Sequence, residues 1–149
     1  MAFDARSFFT SLAVAMDAAD LSTLREMIHP EFVGFFPQSG ERLRGFEAFA
    51  AQLVNYPGGG IPTAEIPDAK VIGAEERWAI TPSYTVVPLA SPSFYTTLIR
   101  ARYPDGSYWH VITVVEMRDD KIFRAENYFA PESDPPAWRR QYGEIVPRE

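Results

Sequence analysis

The segment Tyr108-Trp109-His110-Val111-Ile112-Thr113-Val114-Val115 sets one of only two histidines in a run otherwise suited to a buried β-strand. An imidazole in apolar surroundings can act as a general base near neutral pH, hydrogen-bond a ligand, or sit satisfied in a core. Arg100 offers a forked donor for a carboxylate or an enolate oxygen. Asn127 carries a carboxamide that can orient a ligand but cannot act as a base. Gln38, Glu41 and Arg44 lie in the turn-containing stretch FPQSGERLRG, where they read either as the mouth of a pocket or as a turn with a surface ion pair. His29 precedes Pro30 at a helix terminus and reads as a capping or packing residue. The two histidines fall on unrelated elements with no acidic partner at chelating spacing, so no metal site is expected.

Three helices and a series of strands must position these groups. Phe8, Leu12, Ala15, Met16 and Ala19 make one helical stripe. Asp20 reads as the N-cap of a shorter helix bearing Leu21, Leu24, Met27 and Ile28 and ended by Pro30. EFVGFF follows as a strand, and Phe46, Phe49, Ala50 and Leu53 mark a third helix stopped by NYPGGG. From about Lys70 the period becomes that of strands: Val71 to Thr81, Tyr84 to Leu89, Phe94 to Tyr103, Tyr108 to Met117 and Ile122 to Phe129. Helices first and long strands last predict an α+β fold, a single domain over 1–149. Its first part, 1–56, is mainly helical with one short strand, 65–130 forms a sheet, and 131–149 is a tail. The glycine-rich PGGGIP follows a helix and lacks a lysine, so neither a phosphate loop nor any cofactor motif is read from it.

The turns predict which residues share a face. A three-residue loop at Pro104-Asp105-Gly106 puts Arg100 opposite His110 and Leu98 opposite Ile112. A two-residue loop at Asp119-Asp120 puts His110 opposite Phe129 and Ile112 opposite Asn127. One face would then hold Thr96, Leu98, Arg100, His110, Ile112, Val114, Phe123, Ala125, Asn127 and Phe129. Both faces are apolar enough to need covering.

With 149 residues, a net charge of −6 and a sequence pI near 4.9, the chain is unsuited to nucleic acid or an anionic membrane as main partner. It has no cysteine, which excludes disulfides and thiolate chemistry. No signal peptide is evident at Met1-Ala2-Phe3-Asp4, and no apolar stretch approaches the roughly 20 residues that span a bilayer. A cytoplasmic protein is the expectation.

The stretches DLSTLREMIHPEFVGFFPQSGERLRG, RYPDGSYWHV and RDDKIFRAENYF, in this order, resemble the nuclear transport factor 2-like, or SnoaL-like, superfamily over nearly the entire chain. That resemblance implies a cone, with N-terminal helices closing a cystatin-like curved antiparallel sheet around a largely apolar cavity, usually in a homodimer through the outer sheet face. It implies little about reaction, because the fold hosts isomerases, hydrolases, dehydratases, cyclases and simple binders. The steroid isomerases' tyrosine and two aspartates match Leu12, Phe36 and approximately Ile112 here, none able to move a proton, and the acidic residue of the cyclases falls near Asn127. By the same resemblance the face with Asn127 looks into the cavity.

The expected ligand is a small apolar or aromatic metabolite, with His110, Asn127, Arg100 and Gln38 as polar contacts and Leu12, Phe36, Leu98, Ile112 and Phe129 as walls. The alternatives are a cofactor-independent isomerase, cyclase or hydrolase with His110 as base, and a non-catalytic dimerisation module filled by its own aromatic residues. Trp78, Tyr84, Phe35 and Phe49 are expected to form wall rather than nucleic-acid stacking platforms.

Overall fold

The computed structural model describes residues 3–58, 63–64, 70–72 and 93–147. Trp78, Tyr84 and most of the two strands expected between 71 and 89 lie outside these residues. Two aspartates start the first helices. Asp4 accepts from the Ser7 amide ahead of α1 (Ala5–Asp17), and Asp20 accepts from the Thr23 amide ahead of α2 (Leu21–Met27). Both carboxyls are held below the usual carboxylate range, Asp4 first by the Ser7 amide and Asp20 first by the Thr23 hydroxyl and then its amide.

Helix α2 stops at Met27, earlier than Pro30 requires, because β1 (Ile28–Phe36) begins at once and takes Pro30 into the strand. The proline has no N–H, and β1 loses its pairing register between Ile28 and Val33. β2 (Glu41–Arg44) turns back on β1, and α3 (Gly45–Val54) carries Phe46, Ala50 and Leu53 into the core. β3 (Thr63–Ala64) and β4 (Lys70–Ile72) both pair with β5 (Phe94–Arg102). β6 (Tyr108–Arg118) and β7 (Lys121–Pro131) complete a curved sheet of seven strands among the described residues, six in the order β2-β1-β7-β6-β5-β3 and β4 beside β5 off that path. All its pairings are antiparallel except β1 with β7.

The two hairpins follow from their turn residues. Gly106 takes a left-handed φ of 86°, and the Tyr103 amide donates to the Ser107 carbonyl. Arg100 therefore stands opposite His110 and Leu98 opposite Ile112, the expected register. Asp119 and Asp120 both have positive φ, 53° and 56°, which lets a two-residue loop match the twist of β6 and β7.

Beyond that loop the register departs from expectation. Arg118 pairs with Lys121 and Met117 with Ile122, but Glu116 pairs with Arg124, so Phe123 is an extra residue in β7. This β-bulge moves every later residue of β7 to the other face. His110 stands opposite Ala130, and Asn127 opposite Thr113.

The inner face is the one on which Tyr95, Val115 and Ala125 form a cross-strand row. That row joins Phe9 and Ala15 of α1, Leu24 of α2 and Phe46, Ala50 and Leu53 of α3 in one apolar cluster. Leu12 packs against this cluster, half-buried. Among the described residues no helix is long and apolar enough to cross a membrane.

Candidate functional site

Above the helix-covered core, the inner face of β5–β7 climbs in rows. Thr97, Thr113 and Asn127 form the first, Ile99, Val111 and Phe129 the second, and Ala101, Trp109 and Pro131 the third. The first row is internally satisfied. The Thr113 hydroxyl donates to Asn127 Oδ1 at 3.0 Å, and Asn127 Nδ2 donates to the Phe35 carbonyl at 3.3 Å. Asn127 thus ties β6 to β1 across the intervening strand.

The upper rows open onto a pocket of about 430 Å³ lined by Phe36, Gln38, Ser39, Glu41, Gln52, Trp109 and Phe129. Three elements meet there. β1 supplies Phe36, whose ring stacks on Phe129 at 5.8 Å. The β1–β2 turn supplies Gln38, whose Nε2 donates to the Phe129 carbonyl at 3.1 Å while Oε1 accepts from the Phe129 amide at 2.7 Å. A primary amide is a good mimic of a strand's backbone, so Gln38 clasps the end of β7 and fixes the Phe129 ring. Helix α3 supplies Gln52.

Trp109 is set from behind. Its indole stacks on Tyr103 at 5.1 Å, and its Nε1–H donates to the Ser107 hydroxyl at 3.0 Å. Tyr103 also meets Tyr56 edge-on at 6.1 Å. Burial, and next the neighbouring Tyr56 phenol, push the Tyr103 hydroxyl up to about 12. Tyr56 is itself pushed up by burial and then by Asp105.

The outer face carries a different constellation. Arg100 donates to Glu132 through Nε at 3.0 Å and Nη2 at 2.9 Å, and His110 Nε2 lies 2.9 Å from the same carboxylate. A carboxylate can only accept, so the imidazole donates to it through Nε2–H. The Glu132 side chain is 7% exposed, that of Arg100 19% and that of His110 54%. Arg100 also lies over the Tyr108 ring at 3.8 Å. Ile112 and Tyr128, on this same face, are exposed.

The sequence-derived candidates therefore divide in two. Phe36, Gln38 and Phe129 meet at the pocket, with Asn127 one row below. His110, Arg100, Leu98 and Ile112 stand together on the opposite side of the sheet, and Leu12 belongs to the core. The extra residue at Phe123 separates His110 from Asn127 and Phe129. Sequence reasoning missed Glu132, read as part of the tail, and Trp109, absent from the face expected to look into the cavity. It also missed Gln52, which only the docking of α3 brings to the rim. His29 accepts at Nδ1 from the Glu31 amide at 3.0 Å and packs edge-on to Phe123, a packing role. No group of three or more metal-ligating side chains is present among the described residues.

No protein-family model matches the chain, and no curated protein matches it. Solved structures do. An NTF-2 like protein of unknown function from Burkholderia xenovorans shares 20% identity, with 95% of this chain and 94% of that one covered, at a TM-score of 0.66. A steroid delta-isomerase from Pseudomonas aeruginosa shares 16%, covering 88% and 82%, with a TM-score of 0.55. An LEH-like epoxide hydrolase from M. tuberculosis shares 17%, covering 83% and 80%, with a TM-score of 0.53. Helices packed on one face of a curved sheet, in this order and at this coverage, give the chain the nuclear transport factor 2-like fold.

Proposed function

We propose that the protein binds a small, mostly apolar molecule in the pocket of Phe36, Trp109 and Phe129, and works as a homodimer joined through the outer sheet face. The observation that carries the ligand reading is the pocket itself. Three aromatic side chains held by stacking and by the Gln38 clasp border an opening at the end of the inner face. Small-molecule sites combine this kind of apolar wall with a few polar groups. Gln38, Gln52, Ser39 and Glu41 supply the polar part. Support for the dimer comes from Ile112 and Tyr128, large side chains exposed on a sheet face, and from Trp138, Tyr142, Ile145 and Val146, all exposed on the C-terminal arm.

Mass spectrometry of small molecules released from gently purified protein tests the ligand reading. A stoichiometric compound is expected from the wild type and not from Phe129→Ala. Retention by Phe129→Ala at the wild-type level would remove the reading.

One observation favours a second reading, an isomerase, cyclase or hydrolase with His110 as base. Glu132 fixes the imidazole through Nε2, which leaves Nδ1 as the acceptor, and a carboxylate-oriented histidine is a recurring arrangement for proton transfer. In this reading the substrate lies on the outer face. His110→Ala would then abolish turnover, whereas in the binding reading it leaves ligand retention unchanged.

A further inference from the structure

Resting on the pocket reading above, the geometry points, we infer, to a ligand with a cationic head: an organic ammonium group seated against Phe36, Trp109 and Phe129 and balanced by Glu41. Among the described residues, Glu41 is the one charged residue lining the pocket. It stands opposite Phe36 in the β1–β2 pair, and opposite residues share a face, so its carboxylate lies beside the Phe36 ring. No side-chain hydrogen bond or ion pair engages the Glu41 carboxylate among the described residues. The two nearest arginines do not serve it. Arg42 and Arg44 alternate with Leu43 along β2, pair with Phe35 and Val33, and so lie on the opposite face, where Arg42 sits over the Phe35 ring at 5.7 Å.

An aromatic wall that no cation of the described residues covers, next to a carboxylate that none of them pairs, selects by charge. The ring faces present negative potential to a ligand, and an alkylammonium group gains from each face it covers. The carboxylate adds attraction of the same sign, and the chain's net charge of −6 favours a cation in the approach. A carboxylate- or phosphate-bearing ligand would meet Glu41 as a like charge, and the other polar lining among the described residues is neutral amide and hydroxyl. A quaternary or fully alkylated ammonium suits the site best, since it sheds little hydration on leaving water. Gln38 has both of its polar atoms committed to Phe129 and the Ser39 hydroxyl donates to the Phe36 carbonyl at 3.3 Å, so Gln52 is left to donate to the rest of the ligand and Ser39 Oγ to accept from it.

The test is a titration followed through the Trp109 indole N–H signal in NMR, assigned with Trp109→Phe. The probes are benzyltrimethylammonium and its neutral isostere neopentylbenzene. The cation is expected to bind about ten-fold tighter or more. Glu41→Gln should weaken the cation several-fold more than the neutral probe, leaving the smaller preference that the ring faces supply. Because Glu41 is exposed on a short outer strand, the fold should tolerate that change. Added salt, an independent check needing no variant, should weaken the cation alone. Equal binding of both probes, or tighter binding of the neutral one, overturns the cationic head and leaves the pocket reading standing. An indole signal that neither probe shifts overturns both.

Discussion

The two faces of one three-stranded ribbon, β5 to β7, solve the burial problem in opposite ways. On the inner face the strands meet helices below and an aromatic pocket above, and the polar groups between, Thr113 and Asn127, satisfy each other and the backbone. On the outer face the same strands present a nearly buried carboxylate held by an arginine and a histidine, beside exposed Ile112 and Tyr128. Neighbouring residues in sequence therefore live in different physical environments, and the chemistry of one face is insulated from the other by the sheet. Function must be argued face by face.

The sharpest break of this comparison is a pair of adjacent substitutions. Val111 is buried on the inner face and Ile112 exposed on the outer. Val111→Asp should cost about 4 kcal/mol in urea unfolding, because it drives a carboxylate into the core. Ile112→Asp should cost less than about 1 kcal/mol in the monomer while weakening self-association. Similar costs at both positions would mean that the outer face is packed as tightly as the inner.

Next comes Glu132→Ala, with an expected loss of about 3 kcal/mol, since it strips a shared carboxylate from Arg100 and His110. The pocket should survive it, and probe binding at Trp109 should be unchanged. Asn127→Ala comes third, with a loss of about 1.5 kcal/mol by chemical denaturation from the hydrogen bonds to Thr113 and Phe35.

A further effect is confined to alkaline pH. Tyr103 ionises at about 12 in the folded protein, above its ordinary 10.0, so between these values the unfolded chain loses this proton first. Its contribution to stability is complete below pH 10 and is lost as pH rises toward 12. Tyr103→Phe should flatten that decline, followed by denaturation midpoints across the range.

Much of the fold was legible because it rests on local chemistry. Asp20 caps α2, Gly106 and the Asp119-Asp120 pair close the hairpins, and apolar spacing marks the three helices. The site was legible only in part. The bulge at Phe123 carries no glycine or proline to announce it, and one extra residue reverses which side chains of β7 keep company with His110. Glu132 sits in a proline-rich stretch that reads as tail, yet its amide donates to the Tyr108 carbonyl and carries the β6–β7 ladder one residue further. Gln38 was placed at the pocket mouth, but its pairing with the Phe129 backbone depends on two segments about ninety residues apart, which no local pattern encodes.

Tyr128 and Phe129 are consecutive and face opposite ways, which makes one native mass spectrum per variant decisive, since it reports assembly and retained small molecule together. The account predicts that Phe129→Ala stays dimeric and loses the bound molecule, whereas Tyr128→Glu becomes monomeric and keeps it. The reverse pattern, a monomeric Phe129→Ala or a Tyr128→Glu that stays dimeric and sheds its ligand, would contradict the division of labour between the faces.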